Sequence, residues 1–195
     1  MCRTFFYVNQ INNCGRNMQY FLKNIAKKLV FGSILIYNYK VIRVKEEIYM
    51  VTLDKIYHAS YVLKDVVIPT PLVKATAISD DCEVYLKPEN LQITGSFKVR
   101  GSGYKISQLT EEEKKRGVIA CSAGNHAQGV ALAATKYGIK SLICLPDGAP
   151  ISKVEATKGY GAEVCMVPGV YDDAYNKACE LRDEHNYTFI HPFDD

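Results

Sequence analysis

The chain has 195 residues, of which 48% are hydrophobic, so it is long enough to bury the core of one large domain or two small ones. Its net charge of +3 is too small to indicate a nucleic-acid partner. Seven cysteines without a CxxC pair and four scattered histidines predict no metal site. Several cysteines fall within apolar runs, which favours buried free thiols and a cytoplasmic location.

The first 49 residues differ in charge from the remainder. They carry eight basic and two acidic residues, whereas residues 50–195 have a net charge of −3. The apolar run 29–37 is too short to cross a membrane, so no membrane partner is expected. Residues 1–49 are interpreted as an extension outside the core, which is spurious or unstructured, a targeting segment, or functional in its own right. We expect this extension to pack little against the rest.

Residues 50–116 are interpreted as the start of a larger domain. An apolar stripe predicts a helix over 53–66, ending before two prolines, and residues 83–87 have the composition of a short strand. A further helix is predicted over 97–108. Thr110 is followed by three glutamates, which is a capping box that begins another short helix.

From residue 117 onward, short apolar runs alternate with longer amphipathic segments. The predicted strands and helices, in chain order, are 118–121, 125–137, 141–145, 151–159, 162–167, 171–185 and 188–190. Strands of continuous apolar residues between helices are typical of a parallel sheet covered on both faces. The sequence therefore predicts an α/β fold, in which residues 117–195 form a small parallel-sheet domain beside an incomplete larger domain. Because the chain stops directly after a strand, we interpret it as a truncated reading frame.

Lys98 lies in the segment 94–101 (TGSFKVRG), between small residues that leave room for a ring and the aromatic side chain of Phe97. A lysine without such neighbours is usually a solvated surface charge. The start of a helix disfavours a nearby ammonium, and the neutral amine is the form that makes an imine with a carbonyl compound. The segment therefore indicates a lysine for imine chemistry.

A second segment, residues 121–127 (CSAGNHA), connects a predicted strand to a predicted helix. In a parallel α/β unit such a turn directs backbone N–H groups and a helix N-terminus towards the crevice beyond the strand, where anions bind. Ser122 adds a hydroxyl donor. On spacing alone, an ordinary capped turn remains the favoured interpretation.

Together with residues 69–72 (PTPL) and 87–92 (KPENLQ), these two segments resemble the catalytic core of pyridoxal-phosphate-dependent threonine dehydratases, or threonine ammonia-lyases. These enzymes belong to the tryptophan-synthase-β group, also called fold type II. The resemblance extends from about residue 53 to residue 195. It implies pyridoxal 5′-phosphate as cofactor and deamination of L-threonine to 2-oxobutanoate, or of L-serine to pyruvate. It also implies a homo-oligomer at full length.

The resemblance assigns three residues to the cofactor and three to the substrate carboxylate. Lys98 would hold the cofactor and remove the α-proton, Phe97 would pack against the cofactor ring, and Asn125 would hydrogen-bond its 3′-oxygen. The carboxylate would be bound, largely through backbone N–H groups, by Ser122, Gly124 and His126.

Two positions separate this chain from relatives that it also resembles. Serine racemases usually have a serine acid/base where this chain has Ala123, and alanine cannot move a proton, so elimination is favoured over racemisation. Threonine and cysteine synthases usually have Asp directly after the lysine, where this chain has Val99. Ile93 and Ser102 also depart from the family's usual residues, in ways that look tolerable.

The family's glycine-rich phosphate loop has its place beyond Asp195. The chain alone is therefore expected to bind the cofactor poorly and to be inactive by itself. The alternatives are an inactive fragment or pseudogene product, and an enzyme similar to serine racemase.

Overall fold

The computed structural model describes residues 3–8, 36–37, 40–41, 51–78 and 83–193. Most of the apolar run 29–37 lies outside these residues, as do Cys2, Cys14 and Cys82.

Helices and strands alternate through most of the described chain. The helices are α1 (Leu53–Val62), α2 (Lys98–Ser107), α3 (Glu111–Arg116), α4 (Asn125–Lys136), α5 (Ile151–Gly159) and α6 (Tyr171–His185). The strands are β1 (Arg3–Val8), β2 (Ile36–Tyr37), β3 (Lys40–Val41), β4 (Val73–Lys74), β5 (Glu83–Pro88), β6 (Val118–Cys121), β7 (Ser141–Pro146), β8 (Glu163–Val167) and β9 (Thr188–Phe189). Single 3₁₀ turns lie at Leu63–Asp65 and Glu89–Leu91.

Strands β6 to β9 form a parallel sheet in the order β8-β7-β6-β9, as the alternation of strands and helices predicts. Helix α6 packs on one face of the sheet, and α4 and α5 pack on the other. The apolar side chains of β6 are buried on both faces, which explains its unbroken apolar sequence. The carboxyl end of β6 leads directly into the loop before α4.

Local signals define several of the helix ends. Thr110 Oγ1 accepts a hydrogen bond from the N–H of Glu113 at 3.3 Å, and the Glu113 carboxylate accepts one from the N–H of Thr110 at 2.8 Å, which completes the predicted capping box. Helix α6 ends at Asn186, whose left-handed φ of 57° is typical of a helix C-terminus.

Helix α4 is buried on all sides between the parallel sheet and α2. Every residue from 126 to 134 is buried, and most of them are small. A Cβ added at Gly129 would lie 3.0 Å from the carbonyl carbon of Lys98. The small residues of α4 therefore allow α2, with Lys98 at its start, to approach closely.

A second, mixed sheet has β5 at its centre, with β1 parallel to it on one side and β4 antiparallel on the other. The register of the parallel pair runs from Arg3 opposite Glu83 to Val8 opposite Pro88. The prediction that residues 1–49 pack little against the rest is therefore wrong for residues 3–8. Their sequence, RTFFYV, is rich in aromatic and β-branched residues, and β5 has an edge that such a strand can pair with.

No helix among the described residues is both long enough and apolar enough to cross a membrane.

Candidate active site

Lys98 is the first residue of α2, and its amine lies near two aromatic rings. Nζ donates a hydrogen bond to the backbone carbonyl of Pro192 at 2.6 Å. The same nitrogen lies 5.7 Å from the ring centroid of Phe97 and 5.4 Å from that of Phe193. The side chain is half-buried, so the amine is held in a defined place rather than extended into solvent.

The small residues before Lys98 set the start of α2. The N–H of Gly95 donates to the carbonyl of Gln92 at 2.7 Å, and the φ of Gly95 is +68°, a conformation that a glycine adopts without strain. Ser96 is fully buried, and its Oγ accepts a hydrogen bond from the N–H of Lys98 at 3.3 Å. This bond satisfies an amide that a helix N-terminus otherwise leaves without a partner.

A cavity of about 490 Å³ opens beside Lys98. This volume is within the range of small-molecule sites in proteins. Its walls come from α2, from the start of α4 and from the segment after β9, and include Phe97, Lys98, Gly101, His126, Pro192 and Phe193. The structure thus brings together three of the six predicted site residues around one cavity: Phe97, Lys98 and His126.

His126 contributes to this wall with a side chain whose position is fixed. It is buried, and its Nε2 donates to the carbonyl of Ile190 at 3.0 Å. Because a carbonyl only accepts, the ring carries its proton on Nε2 in this contact. His126 therefore ties the start of α4 to the end of β9.

The other predicted residues, Ser122, Gly124 and Asn125, do not line this cavity. The N–H of Ser122 donates to the carbonyl of Cys144 at 3.2 Å, and the N–H of Gly124 donates to Ser122 Oγ at 3.2 Å. Asn125 Oδ1 accepts a hydrogen bond from Lys153 Nζ at 3.2 Å. Two of the backbone amides expected to bind an anion therefore already have acceptors, and the carboxylate site stays a prediction.

Sequence reasoning missed a buried ion pair directly behind Lys98. Glu89 is fully buried, and Arg100 reaches it from α2 with Nε at 2.6 Å and Nη2 at 2.9 Å from the two carboxylate oxygens. Thr70 donates from its hydroxyl at 2.7 Å. Burial alone raises the pKa of Glu89, but the hydrogen bonds and charge of Arg100 and the Thr70 hydroxyl outweigh it, so the pKa lies below its usual value.

The same cluster joins the segments 69–72 and 87–92. Lys87 Nζ donates to the carbonyl of Thr70 at 2.6 Å, and the Gln92 amide exchanges hydrogen bonds with the backbone of Ile68 at 2.8 and 3.2 Å. These polar residues therefore hold the chain beneath α2 rather than lining the cavity. Two sequence features could have indicated this ion pair: Arg100, two residues after Lys98, and Glu89, directly after Pro88.

Cys121 and Cys144, in the parallel sheet, are confirmed as buried free thiols, while Cys165 in β8 and Cys179 in α6 are partly exposed. Cys121 and Cys144 face each other in register on β6 and β7. Burial raises the pKa of Cys121 to about 11, and burial together with the neighbouring Cys165 thiol raises the pKa of Cys144 to about 12. Neither thiol is a nucleophile at neutral pH.

Comparisons with known proteins agree on one family. The sequence profile described as "Pyridoxal-phosphate dependent enzyme" matches residues 63–195. The L-threonine ammonia-lyase of Thermotoga maritima is 49% identical over 148 residues, covering 75% of this chain and 37% of that protein.

Two solved structures show the same fold. The processed form of threonine deaminase isoform 2 from Solanum lycopersicum aligns with a TM-score of 0.66 and 36% identity over 74% of this chain and 44% of that one. The serine racemase of Dictyostelium discoideum aligns with a TM-score of 0.69 and 36% identity over 74% of this chain and 48% of that one. This chain thus spans less than half the length of each of these relatives. The predicted fold class is confirmed, and the chain belongs to the family of pyridoxal-phosphate-dependent enzymes.

Proposed function

We propose that this chain forms the N-terminal catalytic part of an enzyme that deaminates L-threonine, and L-serine, with pyridoxal 5′-phosphate. One observation carries the proposal. The amine of Lys98 lies 5.7 and 5.4 Å from the ring centroids of Phe97 and Phe193, at the edge of a cavity of about 490 Å³. The relative from Thermotoga maritima, 49% identical, is named an L-threonine ammonia-lyase.

The residues present fit the cofactor. A primary amine can bind its aldehyde group, Phe97 offers an aromatic face at the site, and the cavity has room for a ring of this size. When bound, the cofactor withdraws electrons from the α-carbon of the amino acid, which makes the α-proton acidic. Lys98 and Phe97 would hold it from α2, and the Asn125 amide would hydrogen-bond its 3′-oxygen.

Lys98 also performs the proton transfer in this proposal. Its Nζ is the base that removes the α-proton, and the Pro192 carbonyl, 2.6 Å away, holds that amine at the cavity edge. Ser122, Gly124 and His126 bind the substrate carboxylate, and Phe97 packs against the cofactor ring. The α-proton and the β-hydroxyl together leave as water, and the released enamine is hydrolysed by a second water molecule to 2-oxobutanoate or pyruvate and ammonia.

Racemisation is the second candidate, because a serine racemase shares this fold at 36% identity. That reaction needs a second proton donor on the opposite face of the α-carbon. Ala123 carries no such group, so elimination is favoured.

The wider properties of the enzyme belong to the same proposal. Residues 50–116 begin the larger domain and residues 117–195 form the smaller one. The complete enzyme acts as a homo-oligomer in the cytoplasm. Its partner is an amino-acid substrate rather than a nucleic acid or a membrane.

The test uses a fused chain, in which this sequence continues into the C-terminal part of the Thermotoga maritima relative. Keto-acid formation from L-threonine is measured for the fused chain, for Lys98→Ala and for Lys136→Ala, a lysine at the end of α4, as control. Lys98→Ala is expected to lower the rate by about 10³-fold or more, because the base is lost. Lys136→Ala should leave the rate unchanged. Full activity in Lys98→Ala would contradict the proposal.

A further inference from the structure

Lys153 stands in the first turn of α5, where a positive charge is unfavourable. The N-terminal end of a helix carries a partial positive charge, and acidic residues are the usual occupants of its first turn. Helix α5 has none there. The turn is nevertheless fixed, since the carbonyl of Lys153 accepts a hydrogen bond from the fully buried Thr157 hydroxyl at 2.8 Å. A lysine in this place is stabilised by an acceptor from elsewhere in the fold.

The acceptor is the side chain of Asn125, the first residue of α4. Lys153 Nζ lies 3.2 Å from Asn125 Oδ1. An ammonium group has donors and no lone pair, so only the amide oxygen can face it. The orientation of the carboxamide is therefore fixed by chemistry, with Oδ1 towards Lys153 and Nδ2 on the opposite side. Within residues 51–78 and 83–193, Nδ2 has no bonded acceptor.

We infer that Lys153 is a positioning residue, which holds the Asn125 carboxamide so that Nδ2 donates to the 3′-oxygen of pyridoxal 5′-phosphate. The inference rests on the proposed function, since it assigns Asn125 to that oxygen. Without the ammonium, the carboxamide can rotate by half a turn and present Oδ1, an acceptor, to an oxygen that is itself an acceptor.

A purely structural role for Lys153 makes a different prediction. If the lysine only steadies α5, its loss weakens the binding of every ligand of the site to the same extent. If it acts through Asn125, its loss matters only for a ligand that carries the 3′-oxygen. The analogue 3-deoxypyridoxal 5′-phosphate lacks that oxygen and keeps the aldehyde, the ring and the phosphate, so it separates the two roles.

The experiment uses the fused chain described above with each aldehyde in turn. The imine is reduced with borohydride, and the modified fraction of the peptide containing Lys98 is measured by mass spectrometry against aldehyde concentration. The variants are Lys153→Met, which keeps the length of the side chain and removes the donor, and Lys153→Arg, which keeps a cationic donor. Lys158→Met, on the same helix and paired with the exposed Glu155, is the matched control.

We expect Lys153→Met to weaken the apparent affinity for pyridoxal 5′-phosphate by about fivefold, the effect of one lost hydrogen bond. Its affinity for the 3-deoxy analogue should equal that of the parent chain. Lys153→Arg should restore most of the loss, and Lys158→Met should have no effect. In an Asn125→Ala background, Lys153→Met should have no further effect.

Equal losses for both aldehydes, or no loss for either, would overturn the role of Lys153 while leaving the proposed function intact. If the parent fused chain forms no imine at Lys98, the proposed function itself fails, and this outcome is distinct from the comparison of the two aldehydes that tests Lys153.

Discussion

Replacing Gly129 by alanine should destabilise the chain, because the added Cβ meets the backbone that carries Lys98. That Cβ would lie 3.0 Å from the Lys98 carbonyl carbon, 3.1 Å from its oxygen and 3.0 Å from Ser102 Oγ. Two of these atoms belong to the backbone of α2 and cannot rotate away. Relieving the contact requires α2 and α4 to move apart, and overpacking of this kind costs about 1–3 kcal/mol.

Alanine also favours a helix over glycine by about 1 kcal/mol, which offsets part of that cost. Subtracting this gain leaves a net loss of about 0–2 kcal/mol, which lowers the melting temperature by up to about 8 °C for a chain of this size. Thermal unfolding followed by circular dichroism measures the shift. Gly101→Ala is the matched control: it lies in α2 with open space around its Cβ, so the helix preference acts alone and should raise the melting temperature by about 2 °C. A Gly129→Ala chain that melts as high as the Gly101→Ala chain would refute the close packing of α2 on α4.

Three further predictions concern groups around the site. Glu89→Gln should lower the free energy of unfolding by about 2 kcal/mol at pH 7. This is less than the usual cost of breaking a buried ion pair, because Arg100 is partly exposed. The pKa of Glu89 is lowered in the folded chain, so its contribution is present above the ordinary value of 4.5 and is lost as the pH falls through the folded pKa. Denaturant unfolding at several pH values should therefore show that the difference in unfolding free energy between the parent chain and Glu89→Gln shrinks below pH 4.5. A difference that stays constant would argue against the ion pair. Cys121 and Cys144 should react with iodoacetamide at pH 8 more than about 100-fold more slowly in the folded chain than in the denatured one, because their thiols are buried and their pKa values are raised; rapid labelling of either in the folded chain would contradict this. In the fused chain, Ala123→Ser should produce D-serine from L-serine, measured by chiral chromatography, because it supplies a second proton donor; efficient racemisation by the unsubstituted fused chain would contradict the role given to Ala123.

Much of the fold follows from local sequence signals. The alternation after residue 117 predicted the parallel sheet, and the predicted bounds of α5 and α6 match the structure. Helix caps, glycines and apolar periodicity act within a few residues of the element that they define, so they can be recognised in a single sequence. The helix predicted over 53–66 is shorter, since its end tightens into the 3₁₀ turn Leu63–Asp65.

Strands β1 and β4, which the sequence did not predict, depend on pairing with β5. Strand β4 has only two residues, and β1 lies some eighty residues from β5, so each is a strand because of the partner it pairs with. From the sequence alone Glu89 is expected to be a surface charge, whereas in the fold it is buried and paired with Arg100. The hydrogen bond between Lys153 and Asn125 joins the starts of two helices 28 residues apart, and no local sequence pattern predicts it.

The central claim is that Lys98 is the lysine that binds pyridoxal 5′-phosphate. The most direct measurement exposes the fused chain to a low concentration of the aldehyde, reduces the imine with borohydride and maps the adduct over all lysine-containing peptides. We expect the adduct to be concentrated on the peptide containing Lys98, whose amine lies at the edge of the cavity near Phe97 and Phe193. Labelling spread over the exposed lysines, with Lys98 unmodified, would contradict it.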